Sequence, residues 1–311
     1  MAELPDIEYN RSIPNNWFAN GSTTWLPKRW AYGGGPYGSQ QSGDVYGYEA
    51  DGVTTIDWDK CAANNLYCIV KYLKKCGWSF KALMAIAGNI HSESNFNPGQ
   101  WERLDLMGDL SQKGFGLVQW TPPRQYVYPA RQEWGLDDPF VPYYENGWYE
   151  LYMMACEPFG YPRTQWKKHS AGQGHNPATT SPYYPDYPPG VTPPQYNFRL
   201  SYTEFIQAVR YDTSVPDTTM DLLDYLTAAF YWDYEQVADY KEYENSLPQR
   251  INRARTWYNR MLPYFGDFPA QSTIIQPTKP TSDFTIKDLE DTQPQSNLIY
   301  YLRPWWQRIG R

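Results

Sequence analysis

Residues 78–120 read WSFKALMAIAGNIHSESNFNPGQWERLDLMGDLSQKGFGLVQW, and the first half of this stretch is typical of a buried helix. Ser79 is a favoured residue for the helix N-cap. Apolar side chains then recur at helical spacing, at Phe80, Leu83, Met84, Ala87 and Ile90. Glu93 follows Ile90 by three positions, so it continues the apolar face of the predicted helix.

The position of Glu93 suggests an acid catalyst. A carboxylic acid at the inner end of a buried helix is partly removed from water, which favours its protonated form. Glycoside cleavage needs such an acid, because the leaving sugar oxygen must be protonated as the bond breaks. Taken alone, however, Glu93 is better explained as a carboxylate that caps the helix end, since most acidic residues face water.

The second half of the stretch predicts a turn and a short strand. Asn97-Pro98 ends the helix, because a proline disfavours helical geometry at the residue before it. The glycines of Gly114-Phe115-Gly116 allow the backbone to approach a ligand closely. Leu117–Trp120 is predicted as a strand, on which Gln119 offers an amide that can both donate to and accept from a sugar.

These residues resemble a known family. Glu-Ser-Asn-Phe-Asn-Pro at 93–98, followed by Gly-Phe-Gly-Leu-Val-Gln at 114–119, resembles the catalytic core of lysozyme-like peptidoglycan hydrolases and lytic transglycosylases. With the flanking residues of 87–90 and 119–124, the stretch is similar to the phage tail lysozyme family. The resemblance implies that Glu93 is the catalytic acid and that Gln119 orients the substrate. It covers residues 78–126.

A second catalytic carboxylate is not fixed by the sequence. A hydrolase that inverts the anomeric centre needs a base roughly 6.5–9.5 Å from the acid, to hold a water molecule. The candidates are Asp105 and Asp109, with Glu102 behind them; each is also an ordinary loop acid. In lytic transglycosylases the 6-hydroxyl of the sugar replaces this water. The sequence leaves the hydrolase and the transglycosylase open.

Four residues are predicted to bind substrate: Ser94, Phe115, Gln119 and Trp120. The Ser94 hydroxyl would bond either the substrate or the end of the helix. The aromatic rings of Phe115 and Trp120 would line the cleft.

Composition excludes several classes of protein. The net charge of −7 argues against binding of nucleic acid through phosphate neutralisation. No apolar run reaches the length of a membrane span, and the N-terminus lacks the pattern of a secretory signal. Four cysteines are expected to be free and buried, and three histidines are too few for a zinc peptidase. We expect no metal and no cofactor.

The predicted fold class is mainly α, of the lysozyme-like α+β type, with a small β-element at 114–120. Residues 1–56 form an irregular, aromatic-rich arm, and residues 57–264 form the catalytic domain with a Pro- and Tyr-rich insertion at 158–198. Residues 265–311 comprise a linker and a docking tail. Further helices are predicted at 59–76, 148–156, 203–211, 217–234 and 248–262. The arginines of the last one are expected on a solvated face or against a partner.

The resulting hypothesis is a peptidoglycan hydrolase carried on a phage tail, which cleaves the β-1,4 bond between amino sugars of the host wall during genome delivery. Its arm and tail would contact other tail proteins or further copies of the chain. Two alternatives remain: a lytic transglycosylase, and a structural tail component that keeps the fold without activity.

Overall fold

The computed structural model describes residues 58–96, 98, 102, 111, 114–134, 147–160, 165–166, 200–210, 221–235, 240–281, 284, 286 and 288–291. In these ranges the chain is mainly α-helical, which confirms the predicted fold class. The helices are α1 (Trp58–Lys75), α2 (Phe80–Ser94), α3 (Arg124–Trp134), α4 (Gly147–Cys156), α5 (Tyr202–Ile206), α6 (Leu222–Asp233), α7 (Tyr240–Phe265) and α8 (Asp288–Asp291). A 3-10 turn, Glu157–Phe159, follows α4.

Helix α2 lies at the centre of the core. The Ser79 side chain accepts a hydrogen bond from the Ala82 amide at 3.3 Å, as expected for an N-cap. Every residue from Ala82 to Ile90 is buried. Such a helix is apolar on all sides because other helices surround it. It packs mainly against α7 and α6.

Helices α2 and α7 approach closely at Gly88. A Cβ atom at this position would lie 2.5 Å from the Arg250 carbonyl oxygen and 2.7 Å from the Ala254 Cβ. Only a residue without a side chain allows this approach. The contact sets the position of Arg250 relative to the last turn of α2.

Helix α7 begins earlier than the sequence predicted. It was expected to start at Pro248, a residue favoured in the first turn, but the helix begins at Tyr240 and Pro248 lies inside it. The proline removes one backbone hydrogen bond without ending the helix.

The predicted strand at 117–120 is wrong in detail. Residues 116–119 form a tight turn, closed by an antiparallel bridge between Phe115 and Trp120. The Trp120 amide donates to the Phe115 carbonyl at 2.9 Å. Gly116 (φ 85°) and Gln119 (φ 49°) both adopt left-handed backbone conformations, which bend the chain back instead of extending it.

Residues 266–281, which we call the C-terminal strap, contact the helical core, although the sequence suggested a linker. The Gln271 amide donates to the Gly77 carbonyl and the Ile275 amide to the Cys76 carbonyl, both at 3.0 Å. Ile274 of the strap is buried. Gly77 (φ 97°) lies so close that a Cβ would meet the Thr273 carbonyl at 2.9 Å. The strap thus holds the corner between α1 and α2.

The predicted free, buried thiols are confirmed for Cys68, Cys76 and Cys156. Within the described ranges, no helix combines the length and apolar character that a bilayer crossing requires. The N-terminal arm (1–56) and most of the 158–198 insertion lie outside the described residues.

Candidate active site

Glu93 lies in the last turn of α2, where the buried helix reaches the surface. Its side chain is 23% exposed, so it neither projects into open water nor lies fully inside. The Glu93 Oε1 atom accepts a hydrogen bond from the guanidinium of Arg250, whose side chain is only 8% exposed. The predicted acid is therefore paired with a buried arginine.

Arg250 holds a second carboxylate as well. Its Nη1 atom donates to Glu235 Oε2 at 2.8 Å and to Asn89 Oδ1 at 3.1 Å. The guanidinium carbon lies 3.7 Å from the ring centroid of Tyr231, a cation–π contact. Asn89 lies one helical turn before Glu93, so both α2 residues face the same arginine. We call Glu93, Glu235 and Arg250 the acid cluster.

Burial raises the pKa of Glu235 well above its ordinary value. The charge of Arg250 acts in the opposite direction, and the neighbouring Glu93 carboxyl raises the pKa further, by its charge and by hydrogen bonding. For Arg250, burial lowers the pKa, but the charges of Glu235 and Glu93 outweigh it and raise the pKa overall. The arginine therefore stays charged, and Glu235 keeps its proton to higher pH than an ordinary glutamic acid does.

The turn at 116–119 is attached to the end of α2 by Ser94. The Ser94 hydroxyl is buried and donates to the Leu117 carbonyl at 2.9 Å. Glu150 of α4 supports the other side of the turn, where its Oε2 accepts from the Leu117 amide at 2.6 Å. A Cβ at Gly116 would meet this Glu150 carboxylate at 2.8 Å. The two halves of the sequence motif, 93–98 and 114–119, are thus in contact, and the Ser94 hydroxyl makes a hydrogen bond between them.

Gln119 is held within the same turn. Its Nε2 atom donates to the Gly116 carbonyl at 2.9 Å, and its side chain is half-buried. Gly114 is required beside it, because a Cβ there would lie 2.7 Å from Gln119 Oε1. The substrate-orienting role of Gln119 stays a prediction.

The rings of Phe115 and Trp120 belong to the core, not to an open cleft. They are 1% and 5% exposed. Both stack on Tyr126 of α3, with ring centroids 5.9 Å and 4.9 Å away. Closing the turn points these two bridge residues inward, and stacking on a buried tyrosine leaves no ring face for a sugar.

The candidate second carboxylates Asp105 and Asp109 lie outside the described residues. Glu102, which was placed behind them, is exposed, and its Oε2 accepts from the Gly114 amide at 2.9 Å. This bond holds Glu102 against the glycine turn.

Sequence reasoning missed both Arg250 and Glu235. Arg250 was assigned to a solvated or partner-facing helix surface. The missed signal is the inner stripe of α7, where Arg250 occupies the place between Leu247 and Ala254, followed by Trp257 and Met261. A charged residue within an apolar stripe must find a buried partner. Glu235 carried no comparable signal, because it follows the end of α6 in an irregular segment.

A mainly helical domain whose central helix ends in a half-buried glutamate, beside a Gly-Phe-Gly turn, is consistent with a lysozyme-like helical domain. The phage tail lysozyme family model matches residues 64–138. Morphogenesis protein 1 of Bacillus phage B103 is 46% identical over 63 residues, which are 20% of this chain. The alignment spans 17% of the length of that relative.

Proposed function

We propose that this phage lysozyme-like protein is a virion-associated peptidoglycan hydrolase, with Glu93 as the general acid that protonates the glycosidic oxygen. The β-1,4 bond between the amino sugars of the host wall would be the substrate. The observation that carries this proposal is the placement of Glu93: half-buried, at the end of the core helix, and joined through Ser94 to the turn that holds Gln119.

The site also argues against one mechanistic assignment. Glu93 and Glu235 both bond the guanidinium of Arg250. An inverting pair must stand roughly 6.5–9.5 Å apart to hold a water molecule between its carboxyl groups. Both acids bond one guanidinium instead, and the Glu235 side chain is only 7% exposed, so it has little access to water. Glu235 is therefore not the base that activates water, and Asp105 and Asp109 remain the candidates for that role.

The proposed setting is the phage tail. The family match and the similarity to a phage morphogenesis protein support a virion component. The partners would be peptidoglycan, other tail proteins and further copies of the chain.

Isolated bacterial cell walls provide the test. Wild-type protein should lower the turbidity of a wall suspension, and a folded Glu93→Gln variant should not. Mass spectrometry of the released fragments then separates the reactions, because a hydrolase leaves reducing ends and a lytic transglycosylase leaves anhydro ends. No turbidity loss with either protein would instead favour a structural tail component, and equal loss with both would mean that Glu93 is not the acid.

A further inference from the structure

The acid cluster contains two carboxyl groups and one guanidinium. The side chains of Glu235 and Arg250 are 7% and 8% exposed, and the side chain of Glu93 is 23% exposed. With both acids ionised, the three groups of the cluster carry a net charge of −1. Arg253 also interacts with Glu93, but it donates to the Ser92 hydroxyl and forms no ion pair with either carboxyl among the described residues. A single added proton makes the three groups neutral, which favours their burial.

The hydrogen bonds favour the same protonation state. Glu235 Oε2 accepts from Arg250, whereas Glu235 Oε1 is buried and receives no N–H or hydroxyl hydrogen bond from the described residues. The Glu93 carboxyl bonds the same guanidinium and lies close enough to Glu235 to raise the pKa of Glu235, through its charge and through hydrogen bonding. A hydrogen bond between two carboxyl groups requires that one of them carries a proton.

We propose that Glu93 and Glu235 share one proton while Arg250 bonds both carboxyl groups. Glu235 is then a positioning residue that keeps this proton available to Glu93. The inference rests on the proposed hydrolase function. Among the described residues, the charged and titratable groups that interact with the pair are Arg250 and Arg253 of α7, Tyr231 of α6 and Tyr234, which follows α6. Neither arginine loses its proton near neutral pH, so the pair gains and loses its own proton as one unit.

The proton that the pair gives up during bond cleavage is replaced later in the cycle. Glu93 gives the shared proton to the glycosidic oxygen as the bond from that oxygen to the anomeric carbon breaks. Both carboxylates are then ionised against Arg250. A water molecule adds its oxygen to the anomeric carbon and releases a proton, which restores the shared state.

Glu235→Gln tests the proposal, because glutamine keeps the shape and the bond to Arg250 but supplies no acidic proton. Its amide would donate to Glu93 and stabilise the ionised form of that acid. The alkaline limb of the pH–rate profile on cell walls should therefore move to lower pH by one unit or more. A lower rate with an unmoved limb would overturn the proposal.

Asp224→Asn is the matched control. Asp224 lies on α6 and, like Glu235, bonds an arginine of α7; its charged neighbours are Arg255 and Asp221, not the residues of the acid cluster. Its removal should leave the alkaline limb in place. A shift of similar size in this variant would mean that any lost pair between the two helices produces the effect.

A second readout does not require activity. Carbon-13 NMR of protein labelled at the glutamate carboxyl carbon reports each acid directly. At neutral pH the wild type should show one carboxyl signal that titrates well above the ordinary acidic range, and Glu235→Gln should lack it. If every glutamate titrates in the ordinary range, the shared proton is refuted; if the signal is present but walls stay intact, only the hydrolase function is refuted.

Discussion

At the scale of single residues, Arg250 organises the site. It contacts Glu93 from α2, Glu235 from the segment after α6, and the ring of Tyr231. These residues come from two separate parts of the sequence, Glu93 from α2, and Tyr231 and Glu235 from the end of α6 and the segment after it. The guanidinium is suited to this because it offers several donors in a fixed plane.

Removing this guanidinium should destabilise the fold strongly. Arg250→Met leaves two buried acids without their cation, and loss of one partner of a buried pair typically costs about 3–5 kcal/mol. Urea denaturation followed by tryptophan fluorescence measures the difference. Lys81→Met is the control, because Lys81 and its partner Asp267 are 30% and 36% exposed, and surface pairs contribute about 0–1 kcal/mol. Equal losses in the two variants would contradict the central place of Arg250.

The raised pKa of Glu235 predicts a pH dependence of stability. A buried acid with a raised pKa stabilises the fold at low pH, and this contribution is lost as the pH rises from the unfolded value near 4.5 through the higher folded value. Wild-type stability should therefore fall relative to Glu235→Gln as the pH rises above the unfolded value near 4.5. Denaturation curves of both proteins on both sides of this pH, in one buffer of constant ionic strength, provide the measurement. A constant difference would contradict the prediction.

The position of Glu93 on α2 could be predicted from the sequence, but the residues that contact it could not. Its three-residue spacing from Ile90 placed it on the inner face of α2, where it is found. Glu235 lies 142 positions further along the chain (235 minus 93), in a segment without periodicity. Pairing at that separation depends on how α6 and α7 pack against α2, and single-sequence periodicity does not encode helix packing.

At the scale of elements, the junction between α2 and the glycine turn is the main feature. Ser94 donates to the Leu117 carbonyl, and Glu150 accepts from the Leu117 amide. The family resemblance assigned Glu93 and Gln119 to one site, and thereby implied that the turn lies near the helix end. The sequence did not predict a turn at 116–119, because Leu117-Val118 favours a strand by propensity while the left-handed Gly116 and Gln119 impose the bend.

Ser94→Ala tests whether this hydroxyl holds the 116–119 turn or binds the substrate. If Ser94 holds the turn, stability should fall by about 1 kcal/mol, the usual net contribution of a buried hydrogen bond. Thermal denaturation measures this loss. Ser92→Ala is a control two positions earlier, with a half-buried hydroxyl that bonds the Gly88 carbonyl of its own helix. Weaker binding to wall fragments with unchanged stability would instead support the role of Ser94 as a substrate ligand.

The close contact of α2 and α7 gives a second prediction at this scale. Gly88→Ala would place a Cβ 2.5 Å from the Arg250 carbonyl oxygen, and neither backbone can yield without moving a helix. Overpacking of this kind typically costs about 1–3 kcal/mol. Calorimetry should show a lower melting temperature, whereas Asn252→Ala on the exposed face of α7 should stay close to wild type. An unchanged melting temperature for Gly88→Ala would show that the helices are further apart.

At the scale of the whole molecule, the C-terminal strap closes the fold. Its Pro- and Thr-rich composition predicted a linker, since proline prevents regular structure. Irregular backbone still packs when its amides find partners, as those of Gln271 and Ile275 do. Composition identified the absence of helix in this segment but could not reveal the contact with the core.

Ile274→Ala tests whether the strap belongs to the folded unit. Truncation of a buried isoleucine typically costs about 2–5 kcal/mol. Ile275→Ala, one residue later and only half-buried, should cost less. Chemical denaturation of the two variants provides the comparison. Wild-type stability for Ile274→Ala would mean that the strap contributes nothing to the fold.

The central claim, that Glu93 is the acid for glycosidic cleavage, is tested most directly by the rate of bond cleavage in a soluble peptidoglycan glycan chain. Loss of a general acid usually lowers a rate by about 10²–10⁴-fold. We predict a loss of this size for Glu93→Gln and a rate near wild type for Asp267→Asn, an exposed acid elsewhere on the surface. A folded Glu93→Gln protein that cleaves the chain within a few-fold of the wild-type rate would contradict the account.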